Sequence, residues 1–90
     1  MITAQVQIIN PSGLHARPAA DFVVEAKKYA STVRIRNLDE NGEFVNGKSA
    51  LRLLSQAFES GTTVELCVEG PDEQAAADAL TALISSGFGE

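Results

Sequence analysis

Ninety residues with a formal net charge of −5, 44% hydrophobic and 21% charged, suit one small acidic domain with room for a single two-layer core. The acidic balance argues against nucleic-acid binding, which needs a basic face, and leaves no polybasic anchor for a membrane surface. No apolar run is long enough to span a bilayer, so no direct membrane insertion is expected.

Residues 1–7 lack a basic region followed by an apolar stretch, and no signal peptide is expected. Cys67 is the only cysteine. It cannot form an internal disulfide and offers no metal-ligand cluster, so no metal or cofactor is expected and a cytoplasmic location is.

The chain alternates short strands and helices. Residues 1–9 alternate as a half-buried strand, with Ile2, Ala4, Val6 and Ile8 on one face and Thr3, Gln5 and Gln7 on the other. Asn10-Pro11-Ser12-Gly13 then supplies four turn formers in a row. From Ala16 to about Ala30 the period becomes helical, with Ala19, Phe22, Val23, Ala26 and Ala30 as the core stripe. Asp21 and Glu25 precede Lys27 and Lys28, an order that suits the helix dipole.

Residues 32–38 alternate again, with Val33 and Ile35 inward and Arg34 and Arg36 outward as a solvated pair. Asn41-Gly42 predicts a turn into a short strand at 43–45. A second helix is expected over 49–59, with Ser49 as N-cap and Gly61 just past its end. Residues 62–69 form the clearest strand, Val64, Leu66 and Val68 inward and Cys67 outward beside Glu65 and Glu69. Gly70-Pro71-Asp72-Glu73 opens a last helix to about Ser86, with Ala75, Ala76, Ala79, Leu80, Leu83 and Ile84 as its core stripe and Gly87 as its stop.

The order is β-α-β-β-α-β-α. Strands with a polar outer face belong to a sheet covered on one side. The expected fold class is α+β, a two-layer open-faced sandwich with a four-stranded antiparallel sheet and three helices on one face.

The candidate site is the loop 10–15 that runs into the first helix. His15, the only histidine, stands at the junction. A helix start presents the free amides of Ala16 and Arg17 and a positive dipole end, together an anion site. Pro18 fits the first helical turn, and Arg17 can bind phosphate oxygens bidentately. A neutral imidazole is a nucleophile toward phosphorus, and the positive helix end disfavours a second positive charge beside it. The same amides and Arg17 would hold the dianion formed by transfer. On spacing alone, His15 is equally well a cap or a solvated side chain.

A docking surface is expected from a second apolar stripe. Ala16, Ala20 and Val24 are offset from the core stripe of the first helix. In the second, Leu53 and Ala57 lie at one angle, Leu51 and Leu54 at another. Exposed apolar patches rimmed by polar groups mark protein contacts, and Lys27 and Arg52 could form the rim. The alternative is one broad core-facing stripe that takes in Leu54 and, less readily, Leu51.

The run Gly13-Leu-His15-Ala-Arg17-Pro-Ala-Ala resembles the active-site signature of the HPr family, the histidine-containing phosphocarriers of the bacterial phosphoenolpyruvate-dependent phosphotransferase system. Asn46-Gly-Lys-Ser49 followed by Ala-Leu resembles the segment around that family's regulatory serine. Gly61-Thr-Thr-Val and the Glu69-Gly-Pro-Asp-Glu turn also fit, so the likeness covers the whole chain, one HPr-like domain over 1–90.

The resemblance implies that His15 accepts a phosphoryl group on Nδ1 from phospho-enzyme I and passes it to an enzyme IIA domain in sugar uptake, with Arg17 stabilising it. It implies that Ser49 is the serine modified by an HPr kinase/phosphorylase in some bacteria, and that Ala16, Ala20, Val24, Lys27, Leu51, Arg52 and Leu54 correspond to partner-binding positions. Nothing suggests an obligate dimer, and a monomer is expected. Residues 37–43 form a longer hairpin than in many members. The ending Ser85-Ser-Gly-Phe-Gly-Glu90 resembles the nitrogen-branch paralogue NPr as well as some proteobacterial members. Two other classes compete: a non-relay regulatory binding protein that docks through the Ser49–Leu54 helix, and a ferredoxin-like small-ligand domain, which leaves His15 and Arg17 unexplained.

Overall fold

The computed structural model describes residues 1–56 and 58–90. Seven elements follow in the expected order: β1 (Ile2–Gln7), α1 (Ala16–Ala26), β2 (Thr32–Asn37), β3 (Val45–Asn46), α2 (Ala50–Leu54), β4 (Thr63–Glu69) and α3 (Glu73–Ser85). The strands form one sheet in the order β1-β4-β2-β3, every neighbouring pair antiparallel. Register follows the alternation: Ala4 faces Leu66, which faces Ile35 on its other side. Val33, Ile35, Val64, Leu66 and Val68 are therefore buried together, while Thr3, Gln5, Arg34 and Glu69 stay in water.

The helices close the core with Phe22, Leu53, Leu80 and Ile84, and two loop residues, Leu14 and Phe58, complete it; all six are fully buried. Each such side chain contributes about 1.5–3 kcal/mol by leaving water. No described helix is long and apolar enough to cross a membrane.

Several expectations are corrected. α1 stops at Ala26 rather than Ala30, and Ala30 is exposed. The amides of Ala30 and Ser31 donate to Asp72 Oδ2 and Oδ1, each at 2.9 Å, and are lost to the helix. Asp72 thus holds the loop between α1 and β2 and makes no side-chain cap bond to its own helix, α3. α2 spans 50–54 rather than 49–59. Ser55 Oγ donates back to the Arg52 carbonyl at 2.8 Å, and burial of Phe58 turns the chain inward. The assignment made for Ala57 lies outside the described residues.

The short strand is 45–46, not 43–45. On α3, Ala77 is buried and Ala75 exposed, the reverse of the expected stripe. Three alanines in a row carry no size signal to set the helix rotation. Arg36 is not a solvated residue. Its Nε donates to Glu65 Oε1 at 2.7 Å, and its guanidinium lies 5.1 Å from the Phe44 ring centroid. Arg34 is exposed as expected.

Candidate functional site

The loop before α1 is held by short bonds and one buried anchor. The Gly13 amide donates to the Asn10 carbonyl at 3.1 Å, and Asn10 Nδ2 donates to the Gly13 carbonyl at 2.8 Å. The Leu14 amide donates to the Phe58 carbonyl at 2.8 Å while its side chain fills the core. Gly13 has φ +65°, and a Cβ there would lie 2.5 Å from the Phe58 oxygen, so the close approach of the two backbones requires glycine. His15 follows an immobilised residue and is itself exposed.

His15 is the N-cap of α1 in extended backbone, φ −120° and ψ 157°, and its ring makes no capping bond. The first-turn amides, which have no intrahelical acceptor, are left for a ligand. That first turn carries no acidic residue, so its positive end is not neutralised from within. Ala16, the first residue of the helix, has φ +47°, a left-handed backbone that costs a non-glycine residue of order 1–3 kcal/mol. Strain of this kind gathers at sites where geometry is held for chemistry.

Arg17 is 90% exposed; its Nε lies 3.9 Å from Asp21 Oδ2, one turn on. A surface pair at that distance is worth about 0–1 kcal/mol, so little holds the guanidinium away from an arriving anion. An exposed imidazole, a helix start and an exposed cation suit an incoming phosphoryl group and its charge.

The expected docking residues all lie at the surface. Ala16, Ala20, Lys27 and Arg52 are exposed, as are Val24 (62%), Leu51 (78%) and Leu54 (47%). Of the α2 leucines only Leu53 is buried, which rules out the broad core-facing stripe. α1 and α2 pack against each other, so these apolar side chains project from neighbouring helices. Ser49 is the N-cap of α2, its Oγ accepting from the Arg52 amide at 3.3 Å. The structure thus brings together His15, Ala16 and Arg17 on one helix start, while Ser49 serves a different, short helix.

A group of residues outside the sequence reading also meets this loop. Glu90 accepts from Ser12 and from Asn10, 78 and 80 positions away. The Asn-Pro-Ser-Gly turn was legible, but no local signal couples it to the far end of the chain.

Residues 2–86 match the family model described as "PTS HPr component phosphorylation site". This chain belongs to the HPr family. It is 42% identical to the phosphocarrier protein HPr of Cupriavidus necator, covering 100% of this chain and 98% of that one. It is 45% identical to the HPr-like protein Crh of Halalkalibacterium halodurans, covering 93% and 96%. It is also 43% identical to a multiphosphoryl transfer protein of Vibrio cholerae, but there it spans only 22% of the longer chain. Among solved structures, HPr-C-His from Thermoanaerobacter tengcongensis superposes with a TM-score of 0.93 at 41% identity, covering 100% of this chain and 98% of that one. The open-faced sandwich is the fold of the HPr family.

Proposed function

We propose that this HPr-family chain, acting as a single carrier domain over residues 1–90 in the cytoplasm, relays a phosphoryl group through His15. The observation that carries the reading is His15 itself: exposed, uncapped and set on an open helix start in a chain of this family. A neutral ring attacks phosphorus through the Nδ1 lone pair. A P–N bond forms to His15 as the P–N bond to the donor, phospho-enzyme I, breaks and its electron pair returns to the donor ring. The amides of Ala16 and Arg17 and the Arg17 guanidinium hold the three phosphoryl oxygens. A second transfer hands the group to an enzyme IIA domain of sugar uptake: a bond from phosphorus to the acceptor forms as the P–N bond to His15 breaks and its electron pair returns to the His15 ring. Partners seat on Ala16, Ala20, Val24, Leu51 and Leu54, with Lys27 and Arg52 meeting acidic groups at the rim.

The test is incubation with phosphoenolpyruvate and enzyme I, read by intact mass. One acid-labile phosphoryl group, absent in His15→Ala, is expected; no labelling of the intact protein would overturn the reading. The rate with sugar-branch against nitrogen-branch enzyme I tells the two branches apart.

A second reading has its own support. Crh is similar to this chain, and Ser49 carries a hydroxyl at a helix cap. A kinase-dependent phosphate there would favour a regulatory binding protein. It requires an ATP-dependent, acid-stable phosphate that is lost in Ser49→Ala.

A further inference from the structure

The open face of the sheet carries a hollow that the His15 site does not use. On β2, Thr32, Arg34 and Arg36 alternate with the buried Val33 and Ile35 and so face away from the helices. Asn46 of β3 pairs with Arg34. Phe44, just before β3, lies under the Arg36 guanidinium, 5.1 Å from its ring centroid. Arg36 is fixed there by Glu65 Oε1 at 2.7 Å and Asn41 Oδ1 at 3.1 Å. The Phe44 ring is thus held by a placed cation, yet is still 39% exposed.

Lys48 bounds the other end. Gly47 lies flat on β2: its amide donates to the Val33 carbonyl at 2.8 Å, and a Cβ would lie 2.7 Å from Val33 Cγ1. That close approach brings Lys48 back to the start of β2, where its Nζ donates to the Tyr29 carbonyl at 2.7 Å. The Lys48 amide donates to Asn46 Oδ1 at 2.9 Å, which leaves Asn46 Nδ2 as a donor. Thr32, Arg34, Phe44, Val45, Asn46 and Lys48 line a hollow of about 470 Å³, a size that suits a small ligand.

Its charge is opposite to that of the chain. Acidic side chains outnumber basic ones by 12 to 7, yet the lining holds two cations and no carboxylate. The acids of β4 on the same face are engaged elsewhere, Glu65 with Arg36 and Glu69 in the field of the Met1 ammonium. Among the described residues Arg34 makes no ion pair. Two cations without a carboxylate match a dianion, and an exposed aromatic ring matches a flat apolar group.

We propose that this hollow binds a small phosphate monoester that carries an aromatic ring, its phosphoryl oxygens on Arg34 and Lys48 and its ring against Phe44. Such a phosphate bears about −1.5 to −2 charges at neutral pH, which two cations balance; a single carboxylate bears only half as much. The site shares no residue with the start of α1 and does not rest on the reading of His15.

Adenosine monophosphate is the probe, followed by amide NMR of the full chain, with adenosine and inorganic phosphate as its two halves. Saturable shifts are expected at Thr32, Arg34, Phe44, Asn46 and Lys48, and each half is expected to bind at least about tenfold more weakly. Arg34→Gln is expected to weaken the probe about tenfold and to leave the melting temperature unchanged, because the side chain is exposed and unpaired. Phe44→Leu is expected to remove the advantage of the probe over inorganic phosphate. Shifts confined to the start of α1 would place the phosphate on the His15 loop and overturn the site. Equal binding by inorganic phosphate overturns the ring contact, and equal binding by adenosine overturns the role of the two cations. No saturable shift up to about 10 mM probe, or full affinity in Arg34→Gln, overturns the proposal outright.

Discussion

Replacing Gly13 by alanine probes how the loop before His15 is held, and its cost can be worked from two contacts. At φ +65° a Cβ meets the left-handed penalty, about 1–2 kcal/mol for an L-residue. That Cβ would also lie 2.5 Å from the Phe58 carbonyl oxygen and 3.0 Å from Glu59 Cα, both backbone atoms. The carbonyl accepts the Leu14 amide at 2.8 Å, so backing away breaks the bond that seats the residue before His15. Stranding that buried amide adds about 1–3 kcal/mol. The sum is about 2–5 kcal/mol, a large part of the stability of a small domain.

Gly61→Ala is the control. Gly61 has φ +91° but nothing within 4 Å of its Cβ position, so only the backbone penalty applies, about 1–2 kcal/mol. Urea unfolding followed by far-UV circular dichroism measures both, with melting temperatures falling about 4–8 °C per kcal/mol in a domain of this size. Equal losses in the two variants, within about 0.5 kcal/mol, would refute the steric argument.

Other outcomes follow from the same contacts. Leu53→Ala is expected to cost about 2–5 kcal/mol in urea unfolding, because this leucine is fully buried between its exposed neighbours. Leu51→Asp is expected to leave stability within about 0.5 kcal/mol, since Leu51 is 78% exposed, yet to weaken partner binding at least tenfold by calorimetry. A matching fall in stability would place Leu51 in the core instead. The Asp72 carboxyl is held below its ordinary value of 3.8, chiefly by the Ser31 hydroxyl and then by the Ala30 amide. The unfolded chain therefore binds that proton more readily. The stability it lends is present above 3.8 and is lost as pH falls through the lower folded value. Asp72→Asn is expected to flatten that acid limb in a series of urea midpoints against pH; an unchanged slope would count against the Asp72 contacts with Ala30 and Ser31.

Much of the site was legible because its parts are contiguous. His15, Arg17 and Pro18 share one helix start, and the turn residues before them are local formers. The strand faces were legible too, since alternation in β1, β2 and β4 reports one buried side. Failures came where a distant partner decides. Ala30 looked helical until Asp72 took its amide, Phe58 shortened α2 by turning into the core, and Arg36 found Glu65 across the sheet. Alanine runs such as 75–77 gave no rotational signal, because methyl groups of equal size fit either side of a helix.

By itself the sequence determined the element order, the covered face of the sheet and the presence of a histidine at a helix start, all set by residue periodicity and neighbours in the chain. Only the tertiary structure decided that Leu51, Leu54 and Val24 remain outside while Leu53 goes in, and that Glu90 returns to Ser12 and Asn10 beside His15. Those outcomes depend on which surfaces the packed sheet and helices have already covered, and on pairs some 80 positions apart whose meeting no local pattern encodes.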